Sequence, residues 1–166
     1  MKTTIKLVTT CILLVCLCIH SSCNHQKKIA GNYTYETECM GTELDGSQTL
    51  KTWGKGRNRS DAVEQAKKNA VRDVLFKGIN KGKTECNLKP VLLEVNCQEK
   101  HEDYFNKFFA DGGEYKNFIS MKDESIIPAI TKDRKGAGSE VTNGVIVRVL
   151  RAELKNKMVS DKILNP

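Results

Sequence analysis

The sequence has few of the residues on which most recognisable chemistry depends. In 166 residues it holds three prolines, three histidines and one tryptophan. With so few prolines and only twelve glycines in no period, it is neither collagen-like nor low-complexity. An apolar run from Leu7 to Ile19 is 13 residues long, about 20 Å as a helix, which is short of the roughly 30 Å hydrocarbon core of a bilayer. No internal repeat or linker marks a second domain. At 39% hydrophobic and 28% charged residues, the chain is neither a disordered polyampholyte nor a multi-pass membrane protein.

The N-terminus has the layout of an export signal. Lys2 and Lys6 supply the positive start, Leu7 to Ile19 the apolar stretch, and Ser21 and Ser22 the small residues before Cys23. Residues 1–22 are therefore expected to be removed, with 23–31 a polar tether and 32–166 one domain. Lys2 and Lys6 are two of 27 basic residues; without them 25 cations face 20 acids, a mild balance of +5. That charge is spread along the chain and names no anionic partner.

Ser21-Ser22-Cys23 resembles the lipobox of bacterial lipoproteins, in which the cysteine thiol is acylated and becomes the first residue. The resemblance implies lipidation at Cys23 and a membrane partner through that lipid. His20 departs from the leucine favoured three places before the cysteine, and an ordinary signal-peptidase cut after Ser22 meets the same histidine. Several acyl chains would hold the domain at the membrane surface, since each buried methylene adds about 0.8 kcal/mol.

Cys39, Cys86 and Cys97 remain beyond Cys23. An odd count allows one disulfide and leaves one thiol over. Cys86 with Cys97 is a candidate pair across a turn, and Cys39 is an equally allowed partner for either. None has C-x₂₋₄-C spacing, so no metal is expected, and no cofactor is assigned. A catalytic thiol would need a histidine partner, for which His101 is the candidate within the domain.

Period-two alternation predicts strands over Asn32 to Glu38 and Gln48 to Gly56, joined by turn formers between Met40 and Ser47. Ser60 or Asp61 caps a helix whose apolar face runs through Val63, Ala66, Ala70 and Val74, and Gly78 ends it. Leu88 to Asn96 reads as a strand with Pro90 at its entry. Gln98 to Ala110 reads as a short helix, Tyr115 to Ser120 as an extended piece, and Met121 to Ser139 as a long exposed loop or hairpin tip. Val141 to Arg151 is a strand, and a last helix from Ala152 uses Leu154, Met158 and Ile163. The order β-β-α-β-α-(β)-β-α predicts an α+β fold, with helices on one mostly antiparallel sheet.

Thr52-Trp53-Gly54-Lys55-Gly56 followed by Ser60-Asp61-Ala62, Ala66 and Asn69-Ala70 resembles the strand-into-helix signature of small outer-membrane lipoproteins of the Lpp-twenty type. It is also similar to the N-terminal module of the flagellar assembly protein T. Tyr104, Phe108 and Phe118, then Val145, Val147 and Val149, then Leu154, extend the likeness from Thr49 to Ile163. The resemblance implies a non-enzymatic envelope protein that binds another envelope protein or the cell wall. The 121–139 segment and the cysteines depart from the pattern, so a flagellar role does not carry over.

No reactive constellation competes with that expectation. Acid pairs at Glu36/Glu38, Glu102/Asp103 and Asp123/Glu124 show no convergence on one cleft. Gly54-Lys55-Gly56-Arg57 lacks the spacing of a phosphate-binding loop and reads as a strand end. Lys132, Arg134 and Lys135 form a small basic patch suited to contact with an anion or partner, but no aromatic residues interleave it for nucleic acid. Asn32 and Asn58 head formal glycosylation sequons. Two rival functions follow: a secreted, unlipidated ligand-binding or inhibitor-like domain, and a small periplasmic hydrolase using His101 or an acid pair.

Overall fold

The computed structural model describes residues 36–86, 89–132 and 140–165. The leader, Cys23, the tether, Asn32, Arg134 and Lys135 lie outside the described residues. Thr34–Pro166 is one compact unit with an α+β architecture. Its sheet has five strands in the order β3-β1-β2-β5-β4. These are β1 (Glu38–Thr42), β2 (Gln48–Gly56), β3 (Lys81–Gly82), β4 (Ile119–Lys132) and β5 (Val141–Val149). All neighbours are antiparallel except β1 and β3.

β2 matches its predicted bounds, because the alternation in Gln48-Thr49-Leu50-Lys51-Thr52 gives the sheet an inner and an outer face. Leu50 and Thr52 are buried inward beside Val145, Val147 and Val149 of β5. Of the strand expected over Asn32 to Glu38, residues 32–35 lie outside the described residues, and Glu38 opens β1. The register Cys39↔Leu50 turns Cys39 into the core, and the hairpin turn contracts to Glu43–Ser47. Gly46 takes φ +78° there, and the Asp45 carboxylate accepts the Ser47 amide at 2.8 Å.

The long helix α1 (Arg59–Arg72) begins on Asn58, whose side chain accepts the Asp61 amide at 3.0 Å. The expected caps, Ser60 and Asp61, sit within its first turn. Their side chains can reach a free amide only if the chain enters there, and it enters at Asn58. Ala62, Ala66 and Ala70 are fully buried against the sheet. A side chain at Gly54 would collide with the Ala62 carbonyl oxygen and the Ala66 nitrogen, and one at Gly56 would lie 2.5 Å from the Ala62 nitrogen. Helix and strand backbones thus touch directly, and Asn69 Nδ2 donates to the Trp53 carbonyl at 2.8 Å across the same contact.

α1 runs on into a π-helical turn, Asp73–Lys77, closed by the Gly78 amide on the Asp73 carbonyl at 2.8 Å. The predicted strand at Leu88 to Asn96 does not form, and residues 87–88 lie outside the described residues. The described part instead docks on the helix end: the Val91 amide donates to the Val74 carbonyl at 3.0 Å and the Leu92 amide to the Leu75 carbonyl at 2.9 Å. A helix end leaves carbonyls without intrahelical partners, and here a passing segment satisfies them. The predicted helix from Gln98 is two pieces, α2 (Cys97–Lys100) and α3 (Glu102–Phe108), broken at His101. The extended piece expected at Tyr115 to Ser120 is a 3₁₀ turn, Glu114–Phe118, that leads into β4.

The segment expected over 121–139 as a long exposed loop or hairpin tip is corrected over 121–132, and residues 133–139 lie outside the described residues. Residues 121–132 belong to β4, which pairs with β5 through two irregularities, between Ser120 and Ser125 and between Ile127 and Thr131. Bulged, Pro-containing strands carry no clean period, and edge position tolerates both features. The last helix, α4 (Arg151–Ser160), buries Leu154 and Met158 as expected. Phe105, Phe108, Phe109, Tyr115 and Phe118 complete the core, with Phe76 edge-on to Phe105 at 4.9 Å between ring centroids.

Ion pairs tie the layers at their margins. The Tyr115 hydroxyl donates to the Glu64 carboxylate, and Lys116 Nζ lies 2.8 Å from it. Burial alone would raise the Glu64 carboxyl, but the bonds from Lys116 and Tyr115 outweigh it and hold the group below the ordinary glutamate range.

Two measurements test these contacts. Gly54→Ala has no room for its methyl group and should cost about 3 kcal/mol in urea unfolding. Gly41→Ala, whose added carbon meets its nearest neighbour at 3.7 Å, should stay within about 0.5 kcal/mol of wild type. Because the Glu64 carboxyl is depressed in the folded state, its contribution is complete above the unfolded value of about 4.3 and is lost as pH falls through the folded value. Tyr115→Phe should therefore cost about 1.5 kcal/mol at pH 7, and Glu64→Gln should flatten the acid limb of the stability curve.

Candidate functional site

The docked segment that replaces the expected strand lines a concavity. A groove of about 620 Å³ opens between the end of α1, residues 90–96 and the face of α2 and α3. Phe76, Pro90, Leu92, Leu93 and Val95 make its apolar surface. The fold positions them by alternate demands on one short stretch. Val91 and Leu92 are pulled into the core by their hydrogen bonds to the helix end, and Cys97 is pulled in at the start of α2. Residues 93–96 must arch outward between these anchors, and Asn96 closes the arch in the left-handed region at φ 62°. Leu93 and Val95 are left 67% and 80% exposed. Leaving each in water forgoes about 1.5–3 kcal/mol of burial.

The charged residues lining the groove are Glu94, Glu99 and Glu102, with no basic residue among them. Glu94 pairs with Lys100 at the rim, and that bond lowers its carboxyl from the ordinary range. Glu99 and Glu102 have no ion-pair partner among the described residues. Asn96, Gln98 and Asn106 add amide groups that both donate and accept hydrogen bonds. The arrangement suits recognition of apolar side chains accompanied by positive charge.

Of the sequence candidates, the three domain cysteines are resolved. Cys39 of β1 is joined to Cys86, just after β3, and Cys97 is a free, buried thiol. The Cys86–Cys97 pairing is thereby corrected in favour of Cys39. The parallel pairing Cys39↔Gly82 brings the chain back beside β1, and Gly82 at φ +110° lets the two backbones approach where a side chain would strike Cys39. Cys97 is meanwhile held inward on α2. Burial pushes its thiol up, with the Glu94 carboxylate adding to the effect, so it stays protonated at neutral pH. His101 follows at the α2–α3 break, its amide on the Cys97 carbonyl at 3.2 Å.

The acid pairs stay on separate elements. Glu38 on β1 lies 3.7 Å from Lys51, Glu102 and Asp103 open α3, and Asp123 and Glu124 fall within β4. Gly54 and Gly56 serve packing, and Arg57 lies 3.4 Å from Asp61. Asn58 is engaged as the cap of α1. Lys132 ends β4, apart from the groove's lining residues. Among the described residues no three metal-ligating side chains converge, and no helix is long and apolar enough to cross a membrane.

The exposed pair Leu93 and Val95 escaped the sequence reading, which assigned them to a strand. The available signal was Pro90 with the unperiodic run Val91-Leu92-Leu93, which fits neither a helix nor a half-buried strand. The chain matches no known protein family, no curated protein and no solved structure.

Thiol counting checks the cysteine arrangement. In the processed chain carrying Cys23→Ser, one thiol should react with a maleimide on unfolding without reductant, and three after reduction. The native protein should label slowly, because the remaining thiol is 2% exposed.

Proposed function

We propose that the chain is an exported bacterial envelope lipoprotein, anchored through Cys23, whose α+β unit is a non-enzymatic protein-interaction or structural module at the membrane surface. The observation that carries this reading is the leader ending in Ser21-Ser22-Cys23. The Cys39–Cys86 disulfide supports export independently, since such bonds persist in oxidising compartments and are rare in a reducing cytosol. The outer membrane and a partner in another envelope protein or the cell wall follow from the likeness to the Lpp-twenty lipoproteins. The strand ending at Gly56 and the helix bearing Ala62, Ala66 and Ala70 support that likeness. A groove that exposes Leu93 and Val95 beside carboxylates and amides is the kind of surface a binding module presents.

The intact mass of the processed protein from its host tests the reading. A first residue Cys23 bearing acyl chains, with the added mass lost in Cys23→Ser, is expected. A processed chain without acyl mass would replace the anchor with a secreted, unlipidated binding domain.

A further inference from the structure

We infer that the groove between the end of α1 and α3 is a docking site for an extended segment of another protein, one that carries apolar side chains interleaved with lysine or arginine. The inference rests on the protein-binding reading above and gives its partner a chemistry. Leu93 and Val95 are exposed on a segment fixed at both ends, by the Val91 and Leu92 hydrogen bonds on one side and buried Cys97 on the other. They are therefore presented in place and do not need ordering when a partner arrives, which removes one cost of binding.

Charge selects the occupant. Without Lys2 and Lys6 the chain still carries 25 cations against 20 acids, yet the groove lining holds Glu94, Glu99 and Glu102 and no basic residue, with Glu94 alone paired to a neighbouring cation, Lys100. An acidic concavity on a basic protein attracts cations and repels phosphate, which disfavours nucleic acid and anionic headgroups there. Glu99 and Glu102 lack internal partners among the described residues, so a lysine or arginine of the incoming segment would not have to displace an existing ion pair. Amides of Asn96, Gln98 and Asn106 stand ready for the main chain of an extended segment.

The test is selection of a random displayed peptide library on the processed chain carrying Cys23→Ser. Enriched peptides should combine Lys or Arg with Leu, Ile or Phe. A synthetic copy of the winning peptide should bind about tenfold more weakly to Leu93→Ser/Val95→Ser, a loss typical of an apolar anchor. It should also bind more weakly to Glu99→Gln/Glu102→Gln, whose residual binding should depend less on salt than that of wild type or of Leu93→Ser/Val95→Ser. Both variants change exposed side chains, so their unfolding midpoints should match wild type and separate lost binding from lost folding. Absence of enrichment, winners without basic residues, or binding indifferent to both variants overturns the inference. So does self-association abolished by Leu93→Ser, which would give the groove to a second copy. Peptide binding without acyl mass on Cys23 would keep the groove and discard the anchor, and the reverse would do the opposite.

Discussion

Everything in this domain depends on how closely α1 can approach β2. The helix backbone at Ala62 and Ala66 rests against Gly54 and Gly56, where no side chain could stand between them. Tight contact of this kind fixes the helix in rotation as well as distance, because only the face bearing Ala62, Ala66 and Ala70 is thin enough to fit. Once that face is set, Val71, Val74 and Leu75 fall over the core, and Glu64 reaches the margin where Tyr115 and Lys116 meet it. The Asn69 bond to the Trp53 carbonyl adds a polar lock to the same seam.

The far end of α1 converts this rigidity into a surface. Its final π-helical turn leaves the Val74 and Leu75 carbonyls to be satisfied from outside the helix, and the amides of Val91 and Leu92 do so. The segment is thus held by two backbone bonds and by the buried side chains of Val91 and Leu92, which leaves Leu93 and Val95 in solvent. A strand would have buried alternate members of the run. The docked arch buries a consecutive pair, Val91 and Leu92, and exposes Leu93 and Val95 beside three carboxylates. The disulfide supports the β3 edge of the sheet, where β3 is only two residues long and Gly82 permits its contact with Cys39.

The elements legible in the sequence are those whose burial has a period. β2, α1 and α4 bury a regular face, as does β5 from Val145 to Val149, and each was readable from its spacing of apolar residues. The misread segments are those stabilised by something without a period. Residues 91–96 answer to a helix end, and β4 accommodates two irregularities and Pro128 at a sheet edge. The cap of α1 at Asn58 depended on where the chain enters the helix, which neighbouring Ser60 and Asp61 obscured.

The sequence by itself determined the α+β class, the strand-then-helix pairing of glycines with alanines, and the positions of β2, α1, β5 and α4. Those features are local: periodicity, small-residue spacing and turn chemistry act within a few residues of one another. Only the tertiary structure decided which cysteines join, because three pairings are equally allowed until Gly82 brings the chain back beside Cys39. It likewise decided that an apolar run would become an acidic-rimmed groove, since that outcome turns on carbonyls some 17 residues away that no local pattern reveals.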